Sequence, residues 1–214
     1  MNKGAELGRG SFGIVRTEWD SRRREDCAIK DIHLPDERAV QELRNEIYYL
    51  TSLQHESICA LYNYSGVLAA GNTVRIVTEL CVEGDLNVFL RNRKALGGVS
   101  LDEARVLMRQ LLTAVSHIHS HDVVHRDIKP GNIFLQSAQT SHSLIVKLGD
   151  FGLATHCPNG ASVDCAGTVP YMAPEQLQHA CVKHQMCGFA VACSSIAFVH
   201  DLWCRITYSA RQTA

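Results

Sequence analysis

The sequence predicts an α+β fold in two lobes, five strands with one helix first and a mainly helical lobe after them. Three observations carry that reading. Strand-like segments fill most of the first 80 residues. One stretch of 3.6-residue apolar periodicity interrupts them at 36–53, and helical periodicity takes over from Gly84.

The segment 5–19 reads as strand broken by a glycine loop, and 26–32 follows a charged turn as the next strand. In 36–53 the apolar residues Val40, Leu43, Ile47, Leu50 and Leu53 recur at helical spacing, with Pro35 and Asp36 as entry signals. Strands near 58–68 and 73–80 are joined through Gly71-Asn72. Asp85 caps a short helix that runs to Leu96 and stops at Gly97-Gly98. Ser100 and Glu103 make a capping box for a long helix, whose apolar stripe is Ala104, Leu107, Leu111, Val115 and Ile118. Short strands at 132–135 and 144–148 flank a polar loop, and the chain holds neither internal repeats nor low-complexity tracts.

Composition narrows the function classes. With 46% hydrophobic and 20% charged residues the chain can pack an ordinary core, and a net charge of −1 gives no global field for nucleic acid or an anionic membrane. The basic run Arg22-Arg23-Arg24 reads as a solvated turn. No signal-peptide core opens the sequence, and the apolar stretch 186–199 falls short of the roughly 20 residues a bilayer span needs. Nine cysteines, an odd number without disulfide-like spacing, are expected as free thiols in the cytosol or nucleus.

Several short motifs carry chemistry. Gly8, Gly10 and Gly13 form a G-x-G-x-x-G-x-V loop ending at Val15, whose bare backbone can approach phosphate oxygens. Dinucleotide-binding folds use similar glycines to open a helix; here a second strand follows, which disfavours that alternative. Lys30 closes the strand segment Cys27-Ala28-Ile29-Lys30. By itself it reads equally well as a surface residue, but Glu46 flanks the apolar face of the first helix and needs a cation. Further on stand His125-Arg126-Asp127-Ile128-Lys129-Pro130-Gly131-Asn132 and Asp150-Phe151-Gly152. An amide and a carboxylate on separate loops suit Mg²⁺, which prefers oxygen ligands and phosphates. Ala173-Pro174-Glu175 closes this set.

In this order the motifs resemble the eukaryotic protein kinase family over about residues 4–175. The segments 125–135, 147–154 and 79–86 resemble its NIMA-related serine/threonine branch, and Asp127-x-Lys129 with Gly167-Thr168 resembles serine/threonine rather than tyrosine kinases. The resemblance implies a kinase N-lobe over 1–82, a partial, mainly helical C-lobe over 83–175 and a divergent tail over 176–214. It implies that Gly8, Gly10 and Gly13 cover the ATP phosphates and that Lys30, paired to Glu46, holds the α and β phosphates. Val15, Ala28 and Leu135 sandwich the adenine, with Leu7 counted in the same set; the backbone of Glu79 to Cys81 bonds the adenine edge, and Thr78 stands at the back of the pocket. Asp127 accepts the substrate proton, Lys129 lies near the transferred phosphate, Lys129 and Thr168 contact Asp127, and Asn132 with Asp150 holds Mg²⁺. A protein bearing a Ser or Thr hydroxyl is the implied partner.

Other features point less far. Where such kinases often carry a phosphorylated residue for Arg126, this chain has Asp164, read either as a built-in substitute for the phosphate or as a loop acid; Ser162 and Thr155 are further phosphosite candidates. Asp201-Leu202-Trp203 resembles the start of a buried C-lobe helix, with Ile206 where Gly is expected, so the lower C-lobe is expected to be incomplete. Cys181, His184, Cys187, Cys193 and His200 fit no standard zinc spacing, and His117, His119 and His121 read as helix-end histidines. Two functions therefore stand open: an ATP- and Mg²⁺-dependent serine/threonine kinase, or a non-catalytic kinase-fold protein that binds nucleotide or competes for a kinase's partners.

Overall fold

The structure, a computed structural model, describes residues 6–10, 13–94, 98–137, 143–158 and 166–172. Strands β1 (Glu6–Gly10), β2 (Gly13–Asp20), β3 (Glu25–His33), β4 (Leu61–Ser65) and β5 (Thr73–Glu79) form one antiparallel sheet in the order β1-β2-β3-β5-β4. Helix α1 (Glu37–Ser52) lies between β3 and β4 in the chain. The extended backbone of Asp36 lets its carboxylate accept from Ala39 N–H at 2.8 Å, satisfying a donor the first helical turn leaves open. The triple-arginine turn is exposed, and Asp20 holds it by accepting from the N–H groups of Arg22 and Arg23.

α1 takes part in two cores. Val40, Leu43 and Ile47 pack with Ile32, Leu34, Val74 and Ile76 against the sheet. Tyr49, Leu50 and Leu53, about one turn on, join the core of the second lobe. Each fully buried aliphatic side chain contributes about 1.5–3 kcal/mol, so both attachments are substantial.

The second lobe holds α2 (Leu86–Lys94), α3 (Leu101–Ser120) and the strands β6 (Val123–Val124), β7 (Ile133–Ser137), β8 (Leu144–Leu148) and β9 (Thr155–His156). Asp85 accepts from Val88 N–H at the head of α2; past its other end Gly98 takes φ 90° and donates to Arg93 O. The capping box forms in full: Ser100 accepts from Glu103 N–H while Glu103 accepts from Ser100 N–H. The buried stripe of α3 adds Met108 and Ala114 to the five residues expected, and it shares a core with Ile133, Leu135, Val146 and Leu148. Gln110 binds β8 at both Leu144 O and Val146 N–H, so the helix also satisfies strand backbone.

Two details depart from the sequence reading. The expected strand near 58–68 is regular only over Leu61–Ser65. Ile58 instead bridges to Leu148, and Cys59 N–H donates to Leu148 O at 2.8 Å, stitching the first lobe to the second. The two-residue strands β6 and β9 pair with each other and are too short to leave a periodic signal. Among the described residues no helix is long and apolar enough to cross a membrane.

Candidate active site

β6 leads into the loop 125–132, and its pairing with β9 fixes where that loop begins. His125 is fully buried. Its Nδ1 accepts from Asp127 N–H at 3.3 Å and its Nε2 bonds Gly149 O at 3.0 Å, which sets the neutral tautomer with the proton on Nε2. Burial pulls its pKa below the usual histidine value, in keeping with that state. Arg126 sits at φ 67°, a left-handed conformation costing about 1–3 kcal/mol for a non-glycine residue, and its Nε donates to Leu153 O at 2.6 Å.

Asp127 is the most heavily bonded side chain of the loop. Lys129 Nζ donates to Oδ2 at 2.7 Å, Thr168 Oγ1 donates to Oδ1 at 2.7 Å, and Asn132 Nδ2 reaches Oδ2 at 3.1 Å and the backbone carbonyl at 2.8 Å. Lys129 also donates to Thr168 at 2.8 Å, closing a ring of three side chains. Burial raises the Asp127 carboxyl, but the bonds from Lys129 and Thr168 and the lysine's charge outweigh it and hold the pKa below the ordinary value. Gly167 makes the ring possible. At φ 126°, a Cβ there would lie 2.4 Å from Arg126 O, so only glycine lets the chain bring Thr168 this close.

Asp150 has φ 62° and is exposed, whereas the next residue, Phe151, is wholly buried with its ring 4.7 Å from His125 and 6.4 Å from Tyr49. Burying the phenyl anchors the turn and leaves the carboxylate outward. Asn45 of α1 donates to Gly152 O at 3.2 Å, tying that helix to the same turn. Burial raises the Glu46 carboxyl; the charge of Lys30 opposes this and that of Asp150 adds to it. Lys30, on β3 between Val15 and Ile76, thus shares one electrostatic neighbourhood with Glu46 and Asp150. Asn132 turns its amide nitrogen to Asp127, leaving its Oδ1, with the Asp150 carboxylate, as oxygen donors of the kind Mg²⁺ prefers. Among the described residues no three His, Cys, Asp or Glu side chains gather into a metal cage, so such an ion would depend on phosphate and water for its remaining ligands.

The nucleotide wall is laid out by the sheet. Gly8 pairs with Val15 and Gly10 with Gly13 across the first hairpin; Leu7 is half exposed. Ala28 stands opposite Thr17 on one side and Thr78 on the other. Glu79 and Cys81 follow directly. The Glu79 side chain turns away from any ligand: one oxygen accepts from Ala60 N–H at 2.6 Å and the other pairs with Lys147 at 2.9 Å, both residues well buried. Only its backbone is left for a ligand.

Leu135 requires a correction. It is 0% exposed and part of the second-lobe core with Ile133 and Val146, so its side chain is not available to adenine. Side chains alternate along β7, and the partly exposed Phe134 takes the opposite face, against Gly149 and next to Asp150. The resemblance carried the contact one position too far along the strand, onto its inward face. The sequence reading also assigned no role to His125 or Lys147. A lysine inside the apolar run Leu144–Leu148 was the available signal for the second. Thr155 lies in β9. Asp164, Ser162, Ala173-Pro174-Glu175, the 181–200 Cys/His group and Asp201-Leu202-Trp203 fall outside the described residues.

The fold and the arrangement of this site are those of the protein kinase family. The family model for the protein kinase domain matches residues 1–205, past the closing motif at 173–175, and the chain belongs to that family. Among curated proteins it is similar to serine/threonine-protein kinase PLK4 of Xenopus tropicalis, 39% identical over 177 residues that make up 79% of this chain and 17% of that protein. It is 35% identical to serine/threonine-protein kinase 33 of Bos taurus over 80% of this chain and 36% of the relative, and 33% identical to calcium-dependent protein kinase 4 of Plasmodium falciparum over 80% and 32%. The chain thus spans about a third or less of the length of these relatives.

Proposed function

We propose that this chain transfers the γ-phosphoryl group of ATP to a serine or threonine hydroxyl of a protein. The observation that carries the reading is the ring around Asp127. It holds a charged carboxylate, with Lys129 at its side, where a hydroxyl could donate its proton. Asp127 orients that hydroxyl and accepts its proton, Lys129 steadies the charge developing on the phosphoryl oxygens, and Lys30 with Glu46 positions the nucleotide. Asn132 and Asp150 would hold Mg²⁺, which when bound neutralises phosphate charge. The backbone of Glu79 to Cys81 meets the adenine edge, and Val15, Ala28 and Phe134 offer it apolar contact.

Serine/threonine choice is supported by the Lys129–Thr168 bond and by the relatives' class. The finer likeness to NIMA-related kinases rests on wording in three motifs alone. Cys27, Cys59 and Cys81 are not joined in disulfides, which favours a reducing compartment such as the cytosol or nucleus.

The test is phosphotransfer from labelled ATP with Mg²⁺ to serine, threonine and tyrosine peptides. Label on serine and threonine but not tyrosine, lost in Asp127→Asn, is the expected result. Nucleotide binding without transfer to any peptide would turn the reading to a binding module.

A further inference from the structure

We propose that Asn45 is a positioning residue for the Asp150 carboxylate, an amide latch, oriented by Gln41, that fastens α1 to the 150–152 turn. Helical spacing sets the contact. Glu42, Asn45, Glu46 and Tyr49 stand at i, i+3, i+4 and i+7 and so share one face of α1. That face meets the turn repeatedly. Asn45 Nδ2 donates to Gly152 O at 3.2 Å, a Cβ at Gly152 would lie 3.5 Å from Glu42 O, and the Tyr49 and Phe151 ring centres are 6.4 Å apart.

The latch works in one orientation. Gly152 offers a carbonyl, so only the nitrogen end of the Asn45 amide can bond it. The oxygen end then faces Gln41, one turn earlier, whose Nε2 donates to Asn45 Oδ1 at 2.9 Å. A flipped amide would set oxygen against oxygen at Gly152 and nitrogen against nitrogen at Gln41. Both ends are engaged, and the exposed Gln41 acquires a task that its surface position does not suggest.

The bond matters because of where it falls. Asp150 holds φ 62°, a backbone state that a non-glycine residue keeps only when its surroundings impose it. On the near side, Gly149 N–H donates to Asn132 O and Gly149 O accepts from His125, each at 3.0 Å. On the far side, Asn45 holds the Gly152 carbonyl, and Ala154 N–H closes the turn on Phe151 O at 3.0 Å. Without the Asn45 amide the near side stays pinned while the far side loses its tie to α1. The Asp150 carboxylate then spreads over more directions, and Glu46, the next residue after Asn45, loses a fixed distance to it. The catalytic consequence rests on the kinase reading above; the latch itself does not.

The test reads two properties of the whole chain: backbone hydrogen exchange across 149–156 without nucleotide, and phosphotransfer kinetics with ATP and Mg²⁺. Asn45→Ala deletes the donor, and the equal-sized Asn45→Asp turns an acceptor toward Gly152 O. Asn45→Gln keeps the donor, and Gln41→Ala removes only its guide. Arg38→Ala cuts a bond to Glu42 within α1 and serves as the control. Exchange at Ala154 is expected to quicken at least about tenfold in Asn45→Ala and Asn45→Asp, the worth of one hydrogen bond. Gln41→Ala and Asn45→Gln should quicken it less, and Arg38→Ala not at all. In the same order kcat should fall by up to about tenfold while KM for ATP holds, because the adenine wall on β3, β5 and β7 is untouched. Exchange in Asn45→Ala that matches Arg38→Ala would overturn the latch. Quickened exchange with kcat unchanged, or a KM that rises as kcat falls, would overturn the positioning role. An unaltered chain that transfers no phosphoryl group would instead refute the kinase reading, and exchange alone would then decide the latch.

Discussion

Two lysine–carboxylate pairs of nearly equal length do different work in this molecule. Lys129 meets Asp127 at 2.7 Å and Lys147 meets Glu79 at 2.9 Å, and both carboxylates are 7% exposed. The lysines differ, at 27% and 12%. At Asp127 the remaining bonds come from flexible side chains, Thr168 and Asn132, and the lysine stays open to the cleft. At Glu79 the remaining bond goes to backbone and the pair is sealed behind the hinge. The first arrangement keeps a charged acid poised; the second can only join β5 to β8. Contact with solvent on one side, more than the ion pair itself, separates a reactive group from a clamp.

Substitutions can break that contrast, and the largest effect is expected at the open pair. Asp127→Asn keeps size and most bonds but removes the proton acceptor, so kcat is expected to fall about 10²–10⁴-fold with the thermal midpoint nearly unchanged. Lys147→Met should show the reverse. An unpaired buried Glu79 costs about 3–5 kcal/mol, read as a lower denaturation midpoint, whereas Lys147→Met combined with Glu79→Gln should recover most of the loss because the Gln amide oxygen still accepts from Ala60. Chemical denaturation of the three proteins checks both statements.

Gly167→Ala should follow, with at least about 1–3 kcal/mol of strain from its positive φ and the approach to Arg126 O. It displaces Thr168 and so should also lower kcat without raising KM for ATP. Thr168→Val, which deletes the bridging hydroxyl without strain, should lower kcat while sparing stability; equal damage to both would mean that the ring is structural.

The smallest expected effect is pH dependence, and the carboxylate and the histidines give separate windows with the same sign. The Asp127 pKa is depressed, so its stabilisation is complete above the unfolded carboxylate value of about 3.9 and lost only as pH falls through the folded value. It contributes no slope near neutrality. Burial lowers the pKa of His125, and burial with the charges of His121 and His55 lowers that of His117. The unfolded chain therefore takes up these protons first, and stability declines as pH falls through about 6.5. Thermal midpoints should drop between about pH 7.5 and 5.5, and His117→Gln should flatten the decline. A midpoint that rises on acidification would reverse the sign.

How much was legible in the sequence depended on how local the signal was. The Asp36 cap, the Ser100–Glu103 box and the α3 stripe are set by residues within a turn or two, and the structure places them as read. The glycine loop and the strand pairing around Lys30 follow from motif order. The misplaced Leu135 shows the limit. A short strand following a loop offers two faces, and only packing against α3 decides that 133 and 135 go inward and 134 outward. The Lys147–Glu79 pair joins residues 68 positions apart, on β8 and β5, and Ile58 and Cys59, ahead of β4, bond Leu148 of the same strand β8. No local pattern encodes that meeting.

The most direct measurement is kcat for transfer of labelled phosphoryl to a serine peptide, taken beside the denaturation midpoint, for the unaltered chain and Asp127→Asn. The account predicts transfer by the first, its loss by at least about 10²-fold in the second, and matching midpoints. Transfer that survives in Asp127→Asn would contradict it.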